Sequence, residues 1–119
     1  MTMLKGYIIK FSHALRGIAD AVMNDVGFRT QVYLGAALLF IVSVWFTPIS
    51  SLEVLMIIMA YSLVLITELQ NSALEITLDK IHPERDKSIG RAKDMTAGAV
   101  LIAGLFLLFT LTLVYFFRI

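Results

Sequence analysis

The sequence predicts an all-α integral membrane protein, with an N-terminal amphipathic interfacial helix followed by three transmembrane helices. Of its 119 residues, 59% are hydrophobic and only 16% charged, too little charge to cover a soluble domain of this size. Three stretches reach or approach the roughly 20 apolar residues that a helix needs to cross about 30 Å of hydrocarbon. The Lys and Arg residues gather before the first stretch and between the second and third, a distribution that specifies orientation in a bilayer.

In residues 1–29, Leu4, Tyr7, Ile8, Phe11, Leu15, Ile18 and Val22 recur at helical spacing, while Lys5, His13, Arg16 and Asp20 take other positions. This pattern predicts a helix lying in the membrane interface rather than crossing it. The first span is placed at about 31–48. It is uncharged from Val32 to Ile49, with Tyr33 and Trp45 suited to the interfacial belts. In the turn "TPISSLE", Pro48 ends that helix, and Ser50 or Ser51 caps the next. The second span, about 52–80, is uncharged only from Val54 to Thr67, so it crosses only if the helix continues through "TELQNSALEITLD". The passage "KIHPERDKSIGRAKD", punctuated by Pro83 and Gly90, reads as an exposed loop. The third span, about 92–117, has no charge between Met95 and Arg118.

Lys5, Lys10, Arg16 and Arg29 precede the first span, and Lys80, Arg85, Lys87, Arg91 and Lys93 surround the second loop. The N-terminus and that loop are therefore expected in the cytoplasm. A net charge of +1 argues against nucleic-acid binding, which needs a clustered excess of Lys and Arg. The absence of cysteine removes disulfides and thiolate-based metal or redox chemistry. No cleavable signal peptide is expected from the charge pattern of the first thirty residues.

At about 100° per residue, Glu68, Asn71, Ser72, Glu75 and Asp79 fall on one face of the second span. Ionisable groups inside a bilayer cost several kcal/mol and usually face a bundle interior or wet cavity, so this stripe is the first candidate site. Glu68 lies deepest. Asp79 lies at the interface, where it either serves the site or holds a basic residue at headgroup level. Three carboxylates on one face repel one another unless a cation is present, and oxygen-only ligands favour magnesium. The segment "GRAKDM" stands at the cytoplasmic end of the last span. There Arg91 and Lys93 offer charge to phosphate, and Asp94 can cap the helix or fix a ribose or amine. The same basic residues are also ordinary topology determinants. Asp25, in "NDVGFR", is either a further site carboxylate or an interfacial acid beside Arg29. His13 and His82 have no companion histidine at ligand spacing, and no Walker-type run occurs.

The runs "ELQNSALEITLDKI" and "GRAKDMTAGAVLIA" closely resemble the prokaryotic diacylglycerol kinase family, small integral-membrane lipid kinases that include undecaprenol kinases. The resemblance covers nearly the whole chain. It implies a homotrimer with sites shared between subunits, transferring the γ-phosphate of MgATP to the primary hydroxyl of a membrane lipid at the cytoplasmic face of the bacterial inner membrane. By motif position, Glu68 would be the general base and would meet the lipid substrate, and Asp25 and Glu75 would hold Mg2+. Nucleotide contacts would come from Asp25, Asn71, Glu75, Asp79, Glu84, Arg85, Asp86, Arg91, Lys93 and Asp94, while Ala97 would line the lipid slot. The chain departs from the family pattern in having Asp25 where Glu is usual, Gln70 where an apolar residue is common, and Asp86 where a histidine often occurs. Diacylglycerol is the expected substrate, giving phosphatidic acid, with undecaprenol as the alternative. A different class, a non-catalytic ion-pathway or helper subunit, would use the stripe as a conduit or docking face. The outer half of the second span offers only Tyr61 and Ser62 as polar groups for such a conduit.

Overall fold

A computed structural model describes residues 2–84 and 86–117 as four successive α-helices: α1 Thr2–Asn24, α2 Val26–Trp45, α3 Ser51–Ile81 and α4 Lys87–Phe117. The last three are long and apolar enough to cross a membrane.

A single residue separates α1 from α2. Asp25 has extended backbone angles, φ −105° and ψ 109°, and its side chain accepts from the Gly27 N–H, so it is the N-cap of α2. Backbone bonding resumes at once on either side, from Asp25 N to Ala21 O and from Arg29 N to Asp25 O. The helical pattern through residue 29 is thus divided by an elbow at Asp25. At its far end α2 stops at Trp45, ahead of Pro48, because the ring of Pro48 disfavours helical angles at Thr47.

Of the two candidate caps for α3, Ser50 is the one used. Its hydroxyl accepts from Glu53 N (3.1 Å) while the Glu53 carboxylate accepts from Ser50 N (2.9 Å), a reciprocal capping box. Ser50→Ala is expected to lower stability by about 1 kcal/mol, read as a downward shift of the unfolding midpoint in mixed micelles. Ser50→Asp is expected to keep most of it. From this start α3 runs 31 residues without a break, about 46 Å at 1.5 Å per residue. The helix therefore continues straight through the polar passage.

Two expectations for the second loop are corrected. The non-helical segment is shorter than "KIHPERDKSIGRAKD", and Gly90 and Asp94 lie inside α4. The cap is Asp86, whose Oδ1 accepts from Ser88 N (2.8 Å) and Ile89 N (3.2 Å). An Asp placed just before a run of helix formers satisfies the first free N–H groups, which Asp94, a full turn and more inside the helix, cannot do.

α3 and α4 form an antiparallel pair with the most extensive contact in the chain. The buried residues of α3 are Glu53, Ile57, Ala60 and Val64, one helical stripe, and those of α4 are Ala103, Thr110 and Val114. Ala60 and Ala103 are small, which suits close approach of helix backbones where hydrophobicity offers no preference between lipid and protein. Thr110 satisfies its buried hydroxyl on the Phe106 carbonyl (2.9 Å). α2 leans on α3 through Tyr61, whose ring lies over Gly35 and whose hydroxyl donates to Gln31 O (2.9 Å). α1 buries only Ala21, and its apolar residues Leu4, Tyr7, Ile8, Phe11, Leu15 and Ile18 are exposed.

Candidate active site

The elbow at Asp25 and the polar stripe of α3 meet. The Asp25 carboxylate uses both oxygens: Oδ1 accepts from Gly27 N (3.1 Å) and Oδ2 accepts from the Ser72 hydroxyl. Glu68 reaches the same place one turn away. It is half-buried, and its Oε1 lies so close to Gly27 that a Cβ there would overlap it. Glycine at 27 thus permits the Glu68 carboxylate to sit against the first turn of α2, where free N–H groups and the helix dipole favour negative charge. Asp25 and Glu75 are the charges that repel a charge on Glu68.

Toward the C-terminal end of the stripe, Asn71 Nδ2 donates to Glu75 Oε1 (3.4 Å), and the Asn71 Oδ1 is buried without a hydrogen-bond partner among the described residues. A buried acceptor with nothing to accept from is a place for a donor or a cation. Among the described residues no three His, Asp or Glu side chains converge into a ready-made metal cage. Magnesium does not require one, since it keeps several waters and binds through one or two carboxylates plus substrate phosphate. In donor chemistry, the Asp25 and Glu75 carboxylates and the buried Asn71 Oδ1 are oxygen ligands of the kind such an ion takes.

Farther along, Lys93 of α4 forms an ion pair with Asp79 of α3. Asp79 therefore holds a basic residue, supplied by a helix rather than by the loop. Arg91 and Asp94 are exposed on the same end of α4, and Ala97 is exposed one turn deeper. Glu84 and Asp86 are exposed between α3 and α4, Asp86 being engaged as the cap, and Arg85 lies outside the described residues. His82 Nε2 approaches Asp86 Oδ2 at 3.7 Å.

A cleft of about 560 Å³ opens between α1 and α3, lined mostly by apolar side chains including Ile18, Ala21, Leu69 and Ile76, with Asp25 and Ser72 also on its wall. Two participants had no role assigned from sequence, Ser72 and Gly27. Ser72 was visible as a member of the stripe. Gly27 carried no signal, because its importance is the missing Cβ facing a residue far along the chain.

The family model for prokaryotic diacylglycerol kinase matches residues 12–115. A diacylglycerol kinase of Haemophilus influenzae is 35% identical over 91 residues, covering 76% of this chain and 75% of that protein. The diacylglycerol kinase of Escherichia coli strain K12 is likewise 35% identical over 91 residues, covering 76% of this chain and 73% of that protein. One from Pseudomonas aeruginosa is 32% identical over 102 residues, or 86% of this chain and 81% of its own length. The matched region takes in the elbow, the polar stripe of α3 and the start of α4, and the chain belongs to the prokaryotic diacylglycerol kinase family.

Proposed function

We propose that this multi-pass membrane lipid kinase transfers the γ-phosphate of ATP to the primary hydroxyl of diacylglycerol, giving phosphatidic acid and ADP at the cytoplasmic face of the bacterial inner membrane. The enzyme class follows from the family. The observation that carries the finer reading is the meeting of Glu68 and Asp25 at the elbow, beside a mostly apolar cleft that Asp25 helps to line. A lipid hydroxyl brought there from the cleft would lie within reach of a carboxylate already seated against α2.

In this reading Glu68 accepts the hydroxyl proton as the lipid oxygen bonds to the γ-phosphorus and the bond to the ADP oxygen breaks. Phosphoryl transfer needs chiefly positioning and charge neutralisation. The residues that would hold Mg2+ are Asp25 and Glu75, with Asn71 beside them, and the ion supplies charge neutralisation at the phosphates. Asp79 holds the Lys93 ammonium at the mouth between α3 and α4, so a phosphate-binding charge is placed before nucleotide arrives. Arg91 and Asp94, with Glu84, Arg85 and Asp86 from the adjoining loop, border the nucleotide, and Ala97 lines the lipid slot. The exposed apolar residues of α1 lie in the cytoplasmic interface. Assembly into an oligomer, taken as the homotrimer that the family resemblance implies, is supported by Glu75 in the polar stripe, an ionisable group that a single chain leaves exposed.

The test is ATP-dependent phosphate transfer by the purified protein in mixed micelles, with diacylglycerol and undecaprenol offered in parallel at matched surface concentration. Preferential labelling of diacylglycerol is expected. Preference for undecaprenol would move the substrate to the other branch of the family, and no transfer to either from an intact oligomer would overturn the reading.

A further inference from the structure

We propose that Ser72 is a positioning residue that fixes the Asp25 carboxylate for a divalent cation; the proposal rests on Asp25 being a metal ligand, as above. Helical serine and threonine hydroxyls usually turn back to a carbonyl three or four residues earlier, and in this chain Ser12, Thr30, Ser43, Thr77, Thr110 and Thr112 all do so. Ser72 instead donates across 47 residues to Asp25 Oδ2. Its partner is held from the other side by Gly27 N on Oδ1.

The consequence is geometric. A carboxylate has two oxygens with about four lone-pair sites, and here one site on each oxygen is taken by a donor from a different helix. Both side-chain torsions of Asp25 are thereby set, while each oxygen keeps capacity for a cation. Without Ser72, Asp25 would be held only by the cap of its own helix, and Oδ2 would be free to swing toward the cleft it borders. Asp is one methylene shorter than Glu, so it has less reach to correct a misplacement. Ser72 therefore acts through Asp25 in this assignment.

The experiment is Mn2+ binding to the full-length oligomer in detergent, followed by electron paramagnetic resonance with a non-hydrolysable ATP analogue present. Removing a hydrogen-bond partner of a metal ligand typically weakens binding or activity by about 10–100-fold, and a loss in that range is expected for Ser72→Ala, with Ser72→Thr restoring affinity. If Ser72→Ala disrupts the oligomer, Ser72→Val against Ser72→Thr gives the same contrast, since the two are matched in shape and differ in the hydroxyl. Wild-type Mn2+ affinity in Ser72→Ala, alongside an Asp25→Asn that has lost the ion, would overturn the role of Ser72 alone. Wild-type affinity in Asp25→Asn would remove the metal assignment of Asp25 itself and the proposal with it.

Discussion

Glu68→Gln is expected to lower the phosphoryl-transfer rate by about 10²–10⁴-fold, the range that general acid–base groups supply, while the oligomer stays assembled. Glutamine has the shape of glutamate and fills the same space against Gly27, but it cannot take a proton from the lipid hydroxyl. The substitution also removes a carboxylate that faces repulsion from Asp25 and Glu75, so the variant should unfold at the same denaturing condition as the wild type or a harsher one. That pairing of lost activity with retained or raised stability separates a catalytic role from a structural one, since active-site charge clusters are commonly held against stability. Transfer at the wild-type rate in mixed micelles would eliminate Glu68 as the base.

Gly35→Val should produce the largest loss of stability. A Cβ at this position would overlap the Tyr61 hydroxyl and the ring atoms Cζ and Cε1, parts of a rigid phenol that cannot move aside as a flexible chain end could. Relief requires the ring to swing out, breaking its hydrogen bond to Gln31 O, or the two helices to separate. Overpacking of this kind costs about 1–3 kcal/mol. Tyr61→Val in the same chain should recover part of that loss, because the smaller side chain leaves room for the new one; an unfolding midpoint measured for both singles and the double gives the coupling. Activity should fall too. Gly35 and Gly27 lie about two turns apart on α2, as Tyr61 and Glu68 do on α3, so a shift at the first contact is carried to the second. Additive effects of the two substitutions would show that the Gly35–Tyr61 fit is not what sets the spacing of α2 and α3.

Local chemistry made much of this legible in advance. The N-cap of α3 follows from a serine placed before an apolar run with an acid three residues on, a signature that needs no tertiary information. The polar stripe follows equally from 3.6-residue periodicity, and α3 is indeed one helix from Ser51 to Ile81. The start of α4 was misplaced for a local reason as well: Gly90 and Pro83 invite a long loop, but one Asp at 86 supplies acceptors for two free N–H groups and lets the helix begin early. Asp25 is legible as the point where the amphipathic segment meets the first span, but its role as the cap of α2 is not, since α1 and α2 resume helical bonding on both sides of a single extended residue.

Length, hydropathy and helical period are properties of contiguous residues, and they dictate three helices able to cross a membrane and the gathering of carboxylates on one face of α3. Tertiary structure decided which neighbour each of those polar groups meets: Ser72 with Asp25, Asp79 with Lys93, Glu68 with the bare backbone at Gly27. Apolar spans are hydrophobic nearly all round, so periodicity does not say which face packs or in what register. That choice rests on shape, on where a glycine lets a tyrosine ring or a carboxylate approach, and shape complementarity between residues far apart in the chain exists only once the helices are side by side.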